Sequence, residues 1–221
     1  MPIENDRILK NYLILCEGKD AQLFLVNYLE SKALRDDQRF SQDIQVLDFG
    51  GIGDLRKYIM NLKNMEGYEA VKHILIIQDS ETDVNKAISS IQNALKGSGL
   101  STPSKCNEWV YEAKPYVAYS LFPNCSEKPI EGTLEDLCWR IVADDETGEK
   151  REDVDSFVSR FAQKHNTIRT FIHKSRIHTF LSVNDRFVTK KVGEAAKSGA
   201  FDWNNECLNS LRGLIEKAFD D

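Results

Sequence analysis

The sequence lacks any apolar run that approaches the roughly 20 residues needed to cross a bilayer. Residues 1–10 carry charges where a secretory signal would need its apolar stretch. Both absences argue against export and against a membrane partner. We therefore expect a cytoplasmic protein.

Cysteine is scarce and scattered. The chain has five cysteines, an odd number, and none of them forms a CxxC pair. This spacing suits neither a disulfide framework nor a zinc knuckle. We expect free thiols in a reducing compartment.

Basic residues are fewer than acidic residues. The chain has 29 lysines and arginines against 35 acids, which gives a formal net charge of −6. Such a chain does not hold duplex nucleic acid by its overall charge, although a local basic patch remains open. The charge is unevenly placed. Residues 144–155 carry seven acids and two bases, and residues 169–191, here called the basic segment, carry six bases and one acid.

The basic segment is either a solvated face or a contact surface for phosphate groups. We expect Lys174 and Lys190 to stabilise the charge that develops in a transition state. The side chains predicted to contact phosphate or nucleic acid are Arg169, Lys174, Arg176, Lys190 and Lys191.

Short apolar runs at 11–16, 44–49 and 73–77 each end at glycine or acidic residues. Such runs are typical of buried parallel strands. Each is followed by apolar residues at helical spacing. Three consecutive strand–helix units predict an α/β fold with a parallel sheet and right-handed crossovers.

The rest of the chain completes a core and adds an extension. A fourth strand is predicted over 116–122 and a helix over 132–142, so the α/β core spans residues 1–142. Residues 143–221 are predicted to be a mostly helical extension that packs on the core, either separately or within one domain. The acidic stretch near its start has no apolar period and is predicted to be a loop.

Acidic residues follow the first and third predicted strands. Glu17 follows the first strand, and Asp79, Glu81 and Asp83 follow the third. Ligands of open parallel sheets bind at the carboxyl ends of the strands, which lie roughly 5–10 Å apart. Carboxylates this close repel one another unless a cation neutralises them, and Mg²⁺ prefers such oxygen ligands. The sequence therefore indicates a metal without indicating a reaction.

Several of these acids also have structural interpretations. Asp83 most simply caps the helix that follows it, and Asp20 is placed to cap the first helix. Thr133 and Asp136 form a capping-box pattern, and Glu135 suits the dipole at the same helix start.

Three segments resemble the motifs of Toprim domains. Residues 13–20, Leu-Ile-Leu-Cys-Glu-Gly-Lys-Asp, look like the first motif, in which an apolar strand ends in glutamate and glycine. Residues 74–81 resemble the second, an apolar strand ending in Asp-x-Asp. Residues 132–137, Gly-Thr-Leu-Glu-Asp-Leu, resemble an acidic segment in the Toprim nucleases of the overcoming-lysogenization-defect group. The chain is also similar to small uncharacterised bacterial Toprim-like proteins, and the resemblance covers about residues 11–142.

The resemblance implies a Toprim-like, Rossmann-like sheet and magnesium-dependent nuclease activity, with Mn²⁺ as a substitute. Glu17 would be a metal ligand or a general acid–base, Asp79 and Glu81 would hold the metal, and Glu135 would complete the site. The partner would be nucleic acid, either DNA or RNA, and an oligomer or a protein partner stays open. Additional candidate ligands are Asp20, Asp83 and Asp136.

The sequence departs from the Toprim pattern at two positions. Glu81 stands where a second aspartate is usual, and it lengthens the side chain by one methylene. Ala21 stands where many nuclease members have an acid, with Asp20 one residue earlier. These departures weigh against a two-metal site more than against a single Mg²⁺. They also keep open a Toprim-like module that binds metal or nucleic acid, or regulates, without turnover.

A haloacid-dehalogenase-like phosphatase is a further alternative, because residues 74–83 superficially match an apolar strand followed by Asp-x-Asp. In this chain the pattern lies on the third strand, and Asp83 occupies the position usually held by threonine or valine. Both features disfavour the phosphatase.

Overall fold

The computed structural model describes residues 7–34, 39–51, 53–143, 148–166 and 172–220. Its strands are β1 (Tyr12–Cys16), β2 (Ile44–Asp48), β3 (His73–Asp79) and β4 (Tyr116–Phe122). They form a sheet in the order β2-β1-β3-β4, and every neighbouring pair is parallel. The predicted α/β fold with a parallel sheet is confirmed, and helices flank the sheet in a Rossmann-like arrangement.

Helices connect and follow the strands. Short 3₁₀ turns lie at Lys32–Leu34, Tyr68–Ala70 and Glu206–Leu208. Within the described ranges, no helix is both long enough and apolar enough to cross a membrane. The helices are α1 (Gly18–Leu29), α2 (Arg39–Asp43), α3 (Leu55–Leu62), α4 (Val84–Gly97), α5 (Leu134–Ile141), α6 (Glu149–His165), α7 (Ile172–Ser182), α8 (Val192–Lys197) and α9 (Asn209–Lys217).

Each face of the sheet packs against helices, because successive side chains of a strand point to opposite faces. Leu15 and Ile76 lie on the face that buries apolar residues of α3 and α4. Ile14 and Leu75 lie on the other face, against α1, α5 and the C-terminal helices α6 to α9. The predicted helical character of the C-terminal part is therefore confirmed, and these helices cover one face of the sheet.

The acidic stretch was predicted to be a loop, and this prediction is wrong for its described part. Residues 149–155 form the first two turns of α6, whereas residues 144–147 lie outside the described residues. Glu149 and Glu152 lie in the first turn, where negative charge suits the helix dipole. Val154 and Val158 are the buried side chains that anchor α6 on the protein. The acidic stretch contains only the first residue, Val154, of an apolar period that continues beyond it at Phe157, Val158 and Phe161, so the stretch alone shows no helical period.

Asp20 does not cap α1, contrary to the prediction. The helix begins at Gly18, which places Asp20 inside the first turn. Its carboxylate instead accepts a hydrogen bond of 2.9 Å from the backbone N–H of Gly193, at the start of α8. The acid therefore joins the first helix of the sheet region to a helix of the C-terminal part.

We expect Gly193→Ala to destabilise the protein, because α1 and α8 approach closely at this glycine. An added Cβ would lie 2.8 Å from the Asp20 carbonyl oxygen and 2.8 Å from the Leu23 Cβ. Overpacking of this kind costs about 1–3 kcal/mol of unfolding free energy. The measurement is urea denaturation followed by circular dichroism.

Gly213→Ala is the matched control, because Gly213 lies inside α9 with no heavy atom within 4 Å of an added Cβ. It should be neutral or stabilise by up to about 1 kcal/mol through helix propensity. Equal effects of the two substitutions would show that α1 and α8 leave room for a Cβ at Gly193.

Candidate active site

The carboxyl ends of three neighbouring strands bring acidic residues to one edge of the sheet. Glu17 directly follows β1, and its backbone N–H donates a 3.2 Å hydrogen bond to the Ile77 carbonyl of β3. Asp79 is the last residue of β3, and Asp48 is the last residue of β2. The predicted neighbours Glu17 and Asp79 therefore lie at the same edge.

The Asp79 carboxyl group has a strongly raised pKa. Burial raises its pKa to about 8, and the charges of Glu135, Glu17 and Glu81 add to the rise. The backbone N–H of Leu134 donates a 2.8 Å hydrogen bond to Oδ1 and lowers the pKa by a smaller amount. The acids of the three predicted motif segments thus interact electrostatically at a single carboxyl group.

Backbone hydrogen bonds fix Glu81 against the loop that precedes α5. Its N–H donates to the Gly132 carbonyl at 2.9 Å, and the Gly132 N–H donates to the Glu81 carbonyl at 2.8 Å. The Ser80 hydroxyl lies within hydrogen-bond distance of three carbonyl oxygens, at 2.9, 2.6 and 3.1 Å, belonging to Phe122, Ile130 and Gly132. The second and third motif segments are therefore joined directly.

Glu135 and Asp136 lie together in the first turn of α5 but have different partners. The Asp136 Oδ2 accepts hydrogen bonds from the Thr133 N–H at 2.8 Å and from its hydroxyl at 3.0 Å. These bonds form the predicted capping box, so Asp136 has a structural role at the start of α5. The Glu135 Oε1 lies 3.6 Å from the Lys174 Nζ. The other carboxylate oxygen of Asp136, Oδ1, lies 3.8 Å from the His173 Nε2, so both acids face side chains of α7.

Asp20 and Asp83, the other additional candidates, both accept backbone hydrogen bonds. The Asp83 Oδ1 accepts from the Lys86 N–H at 2.9 Å and so caps α4, as predicted. Asp20 contributes to the charge of the edge as well as bonding Gly193. Burial, followed by the charges of Glu135, Asp20, Asp79 and Asp136, raises the pKa of the Cys138 thiol well above its usual range.

Asp48 belongs to this edge but was not predicted as a site residue. Its Oδ1 accepts hydrogen bonds from the backbone N–H groups of Gly18 at 2.9 Å and Gly50 at 2.8 Å. It therefore ties the turn after β1 to the turn after β2. The available signal was an aspartate at the end of a predicted strand, directly before a glycine-rich turn.

The structure separates the members of the basic segment. Lys174 reaches the acidic edge through Glu135. Arg176 is half-buried, and its guanidinium contacts Asp155 at 2.5 Å and Ser159 at 3.1 Å. Arg176 is therefore engaged within the protein, and its predicted phosphate contact stays a prediction, whereas Arg169 lies outside the described residues.

Lys190 and Lys191 directly precede α8, whose Gly193 contacts Asp20. Because Asp20 lies three residues after Glu17, this contact places the two lysines in a segment beside the start of α1. Lys191 is exposed and Lys190 is partly buried. Both belong to the segment that borders the acidic edge.

A cavity of about 210 Å³ lies beside the end of β3. Asp79, Glu81, Lys86 and Gln78 are among its lining residues. The Gln78 side chain is buried, and its Oε1 has no hydrogen-bond partner among the described residues. A buried amide oxygen is costly unless a donor reaches it. The cavity therefore offers space for a ligand, and Gln78 is a candidate hydrogen-bond acceptor for it beside the acidic edge.

The side chains of this edge fit a hard divalent cation, because several carboxylate oxygens surround Asp79. The raised pKa of Asp79 shows that its negative charge is not neutralised by the protein alone. The described residues nevertheless contain no group of three or more His, Cys, Asp or Glu side chains already placed to hold a metal. Asp79 and Glu135 instead bond Leu134 and Lys174.

Comparison with known proteins identifies the family but no characterised relative. A family model described as "Protein of unknown function (DUF3226)" matches residues 11–220. No curated protein and no solved structure matches the chain. The matched range includes the sheet, the acidic edge and the C-terminal helices through α9.

We expect Asp79→Asn to remove a pH dependence of stability. Folded Asp79 binds its proton up to about pH 8, whereas an ordinary aspartate has a pKa of 3.8. The folded state therefore binds more protons between these values, so the free energy of unfolding falls as pH rises through this window. The fall should be on the order of a few kcal/mol.

The asparagine variant keeps the acceptor for the Leu134 N–H and should be the more stable protein at pH 8. Urea denaturation at pH 5, 7 and 9, with EDTA present, measures the difference. Asp83→Asn, which changes an exposed helix cap, is the control and should follow the wild-type curve. Parallel pH curves for wild type and Asp79→Asn would show that Asp79 is ionised in the folded protein.

Proposed function

We propose that this protein, which belongs to the DUF3226 family, hydrolyses phosphodiester bonds in nucleic acid with a divalent cation, in the manner of a Toprim nuclease. The observation that carries the proposal is the convergence of Glu17, Glu81 and Glu135 on Asp79 at the carboxyl edge of a parallel sheet. Open α/β sheets bind their ligands at this edge.

Like charge is the physical reason for proposing a cation. Each carboxylate near Asp79 raises the free energy of its ionised form, and a bound Mg²⁺ would reverse that effect. Asp79 and Glu81 would hold the cation, with Glu17 and Glu135 completing the set. When bound, the cation would polarise a phosphate oxygen and lower the pKa of a bound water.

The side chains of this edge supply the rest of the proposed chemistry. Glu17 would act as a general acid–base, exchanging a proton with a water molecule at the carboxyl edge. Lys174 already places an ammonium group 3.6 Å from Glu135, where a phosphate would bring further negative charge. Lys190 is the second candidate for stabilising that charge, because its segment borders the start of α1.

The meeting of the three motif segments supports the Toprim resemblance. Residues 13–20 and 74–81 are joined by the pairing of β1 with β3, and residues 74–81 and 132–137 are joined at Glu81 and Gly132. Segments far apart in the chain thus place their acids at one carboxyl edge, which is the arrangement that the resemblance implies.

A non-catalytic binding module is the second candidate. It is favoured by the absence, among the described residues, of a group ready to hold a metal, and by the engagement of Glu135 with Lys174. Ala21 and Glu81, the two departures from the Toprim pattern, point the same way. Such a module would bind nucleic acid or metal without turnover.

The metal role is tested by calorimetric titration with Mn²⁺. We expect Asp79→Asn to lower Mn²⁺ affinity at least tenfold, because it removes a central carboxylate ligand, with the fold retained in a thermal melt. Asp83→Asn is the matched control, since Asp83 lines the same cavity but caps α4, and it should leave affinity unchanged. Unchanged affinity in Asp79→Asn would refute the ligand role.

The same protein samples decide between the two candidates. Single-stranded and double-stranded DNA and RNA are incubated with Mg²⁺ or with EDTA. Cleavage by wild type that is lost both in EDTA and in Asp79→Asn supports the nuclease. Metal or nucleic-acid binding without cleavage of any substrate supports the binding module.

The backbone contact of the basic segment is tested by the salt dependence of binding. The double variant Lys190→Gln, Lys191→Gln should reduce the slope of log affinity against log salt concentration by about 1.4 for a single strand, because two phosphate contacts are lost. The loss should be similar for unrelated sequences. Fluorescence anisotropy in EDTA measures it.

Lys57→Gln with Lys96→Gln is the charge-matched control, because both lysines are exposed on α3 and α4 across the sheet. It should leave the slope as it is in wild type. Equal slopes in all three proteins would exclude Lys190 and Lys191 as backbone contacts.

A further inference from the structure

A groove of about 420 Å³ lies between α6 and α7. Phe157 and Phe161 line it from α6, and Lys174, His178 and Thr179 line it from α7. It lies outside the acidic edge, and none of the chemistry proposed above uses its aromatic side chains.

The two phenylalanines are exposed beside the buried stripe of their helix. Phe157 is 49% exposed and Phe161 is 43% exposed, whereas the neighbouring Val154 and Val158 are buried. The centroids of the two rings are 6.1 Å apart, and the Phe161 ring is 4.5 Å from His165. Three rings at positions i, i+4 and i+8 therefore form a continuous aromatic ridge.

The charges of the groove suit an anionic ligand. Its described lining contains a lysine and a histidine but no carboxylate. Lys174 lines the groove and also lies 3.6 Å from Glu135 in the first turn of α5. The Lys174 side chain thus links the groove to Glu135 at the acidic edge.

We propose that this groove binds single-stranded nucleic acid, with bases stacked on Phe157 and Phe161 and the backbone passing Lys174 toward the acidic edge. The proposal rests on the nucleic-acid chemistry proposed above and names its substrate class. Base–aromatic stacking tolerates any sequence, because every base has a π face. A duplex hides those faces within its own stack, so the ridge selects unpaired strands.

A second copy of the chain fits the groove less well. Two half-exposed rings offer roughly 200 Å² of aromatic surface. Each partner in a stable protein interface buries about 800 Å². The cationic and polar residues contributed by α7 also match phosphate and base edges better than another apolar surface. The oligomeric state is therefore an outcome of the test.

The test measures binding by fluorescence anisotropy in EDTA, so that no cation and no turnover is required. The probes are a labelled 12-nucleotide oligo-dT, an abasic strand with the same phosphates, and a 12-base-pair duplex. The variants are Phe157→Ala with Phe161→Ala, and Phe157→Trp with Phe161→Trp. Met60→Ala is the control, because Met60 is an apolar residue of α3 that is 51% exposed.

We expect wild type to bind oligo-dT more tightly than the abasic strand or the duplex. The double alanine variant should lose at least fivefold in affinity for oligo-dT and nothing for the abasic strand. The double tryptophan variant should retain or exceed wild-type affinity, and Met60→Ala should match wild type. All variants should keep the wild-type slope of log affinity against log salt concentration, because no phosphate contact changes.

Three results would overturn the inference. These are equal binding of oligo-dT by wild type and the alanine variant, equal losses for oligo-dT and the abasic strand, and no binding by wild type. A dimer in sedimentation that the alanine variant dissolves, with oligo-dT binding unchanged, would assign the groove to a second copy. Ring-dependent binding without cleavage would leave this inference intact and refute only the nuclease.

Discussion

The parallel pairing of β1 with β3 determines where the charged groups of this protein lie. Because the two strands run in the same direction, Glu17 and Asp79 leave the sheet at the same edge. The Glu17 N–H extends the ladder by one more bond, to the Ile77 carbonyl. An antiparallel pairing would place these acids at opposite edges. The electrostatics of the candidate site therefore follow from strand direction before any individual side chain is considered.

Placing several carboxylates at one edge is unfavourable, and the surrounding structure shows how the chain tolerates it. Burial and the neighbouring acids raise the pKa of Asp79 to about 8, which favours its protonated form at neutral pH, whereas the Leu134 N–H stabilises the carboxylate and lowers the pKa by a smaller amount. Glu135 has Lys174 beside it. A proton and an ammonium group thus offset part of the negative charge at this edge. A cation bound as proposed would compete with the proton for Asp79.

Local patterns predicted much of the fold. The strands and the capping box at Thr133 were predicted because a few neighbouring residues determine them. The partner of Asp20 was missed because Gly193 is 173 positions away in the chain. The hydrogen bonds of Asp48 were missed for the same reason, since their donors follow two different strands. Sequence indicated which strand ends carry acids and which acids cap the next helix, but tertiary packing decided which acids bond distant parts of the chain, as Asp20 and Asp48 do.

The basic segment shows most clearly what packing adds to composition. In sequence, Lys174 and Arg176 are equivalent members of one cationic stretch. In the structure, Asp155 and Ser159 hold the Arg176 guanidinium, so this residue joins α6 to α7. That junction also sets the groove between the two helices, with Lys174 facing both the aromatic ridge and Glu135. One cation thus supports the helix pair while its neighbour reaches the acidic edge. The C-terminal helices therefore do more than cover a face of the sheet, because α7 brings the positive charge of Lys174 to Glu135 beside the strand ends.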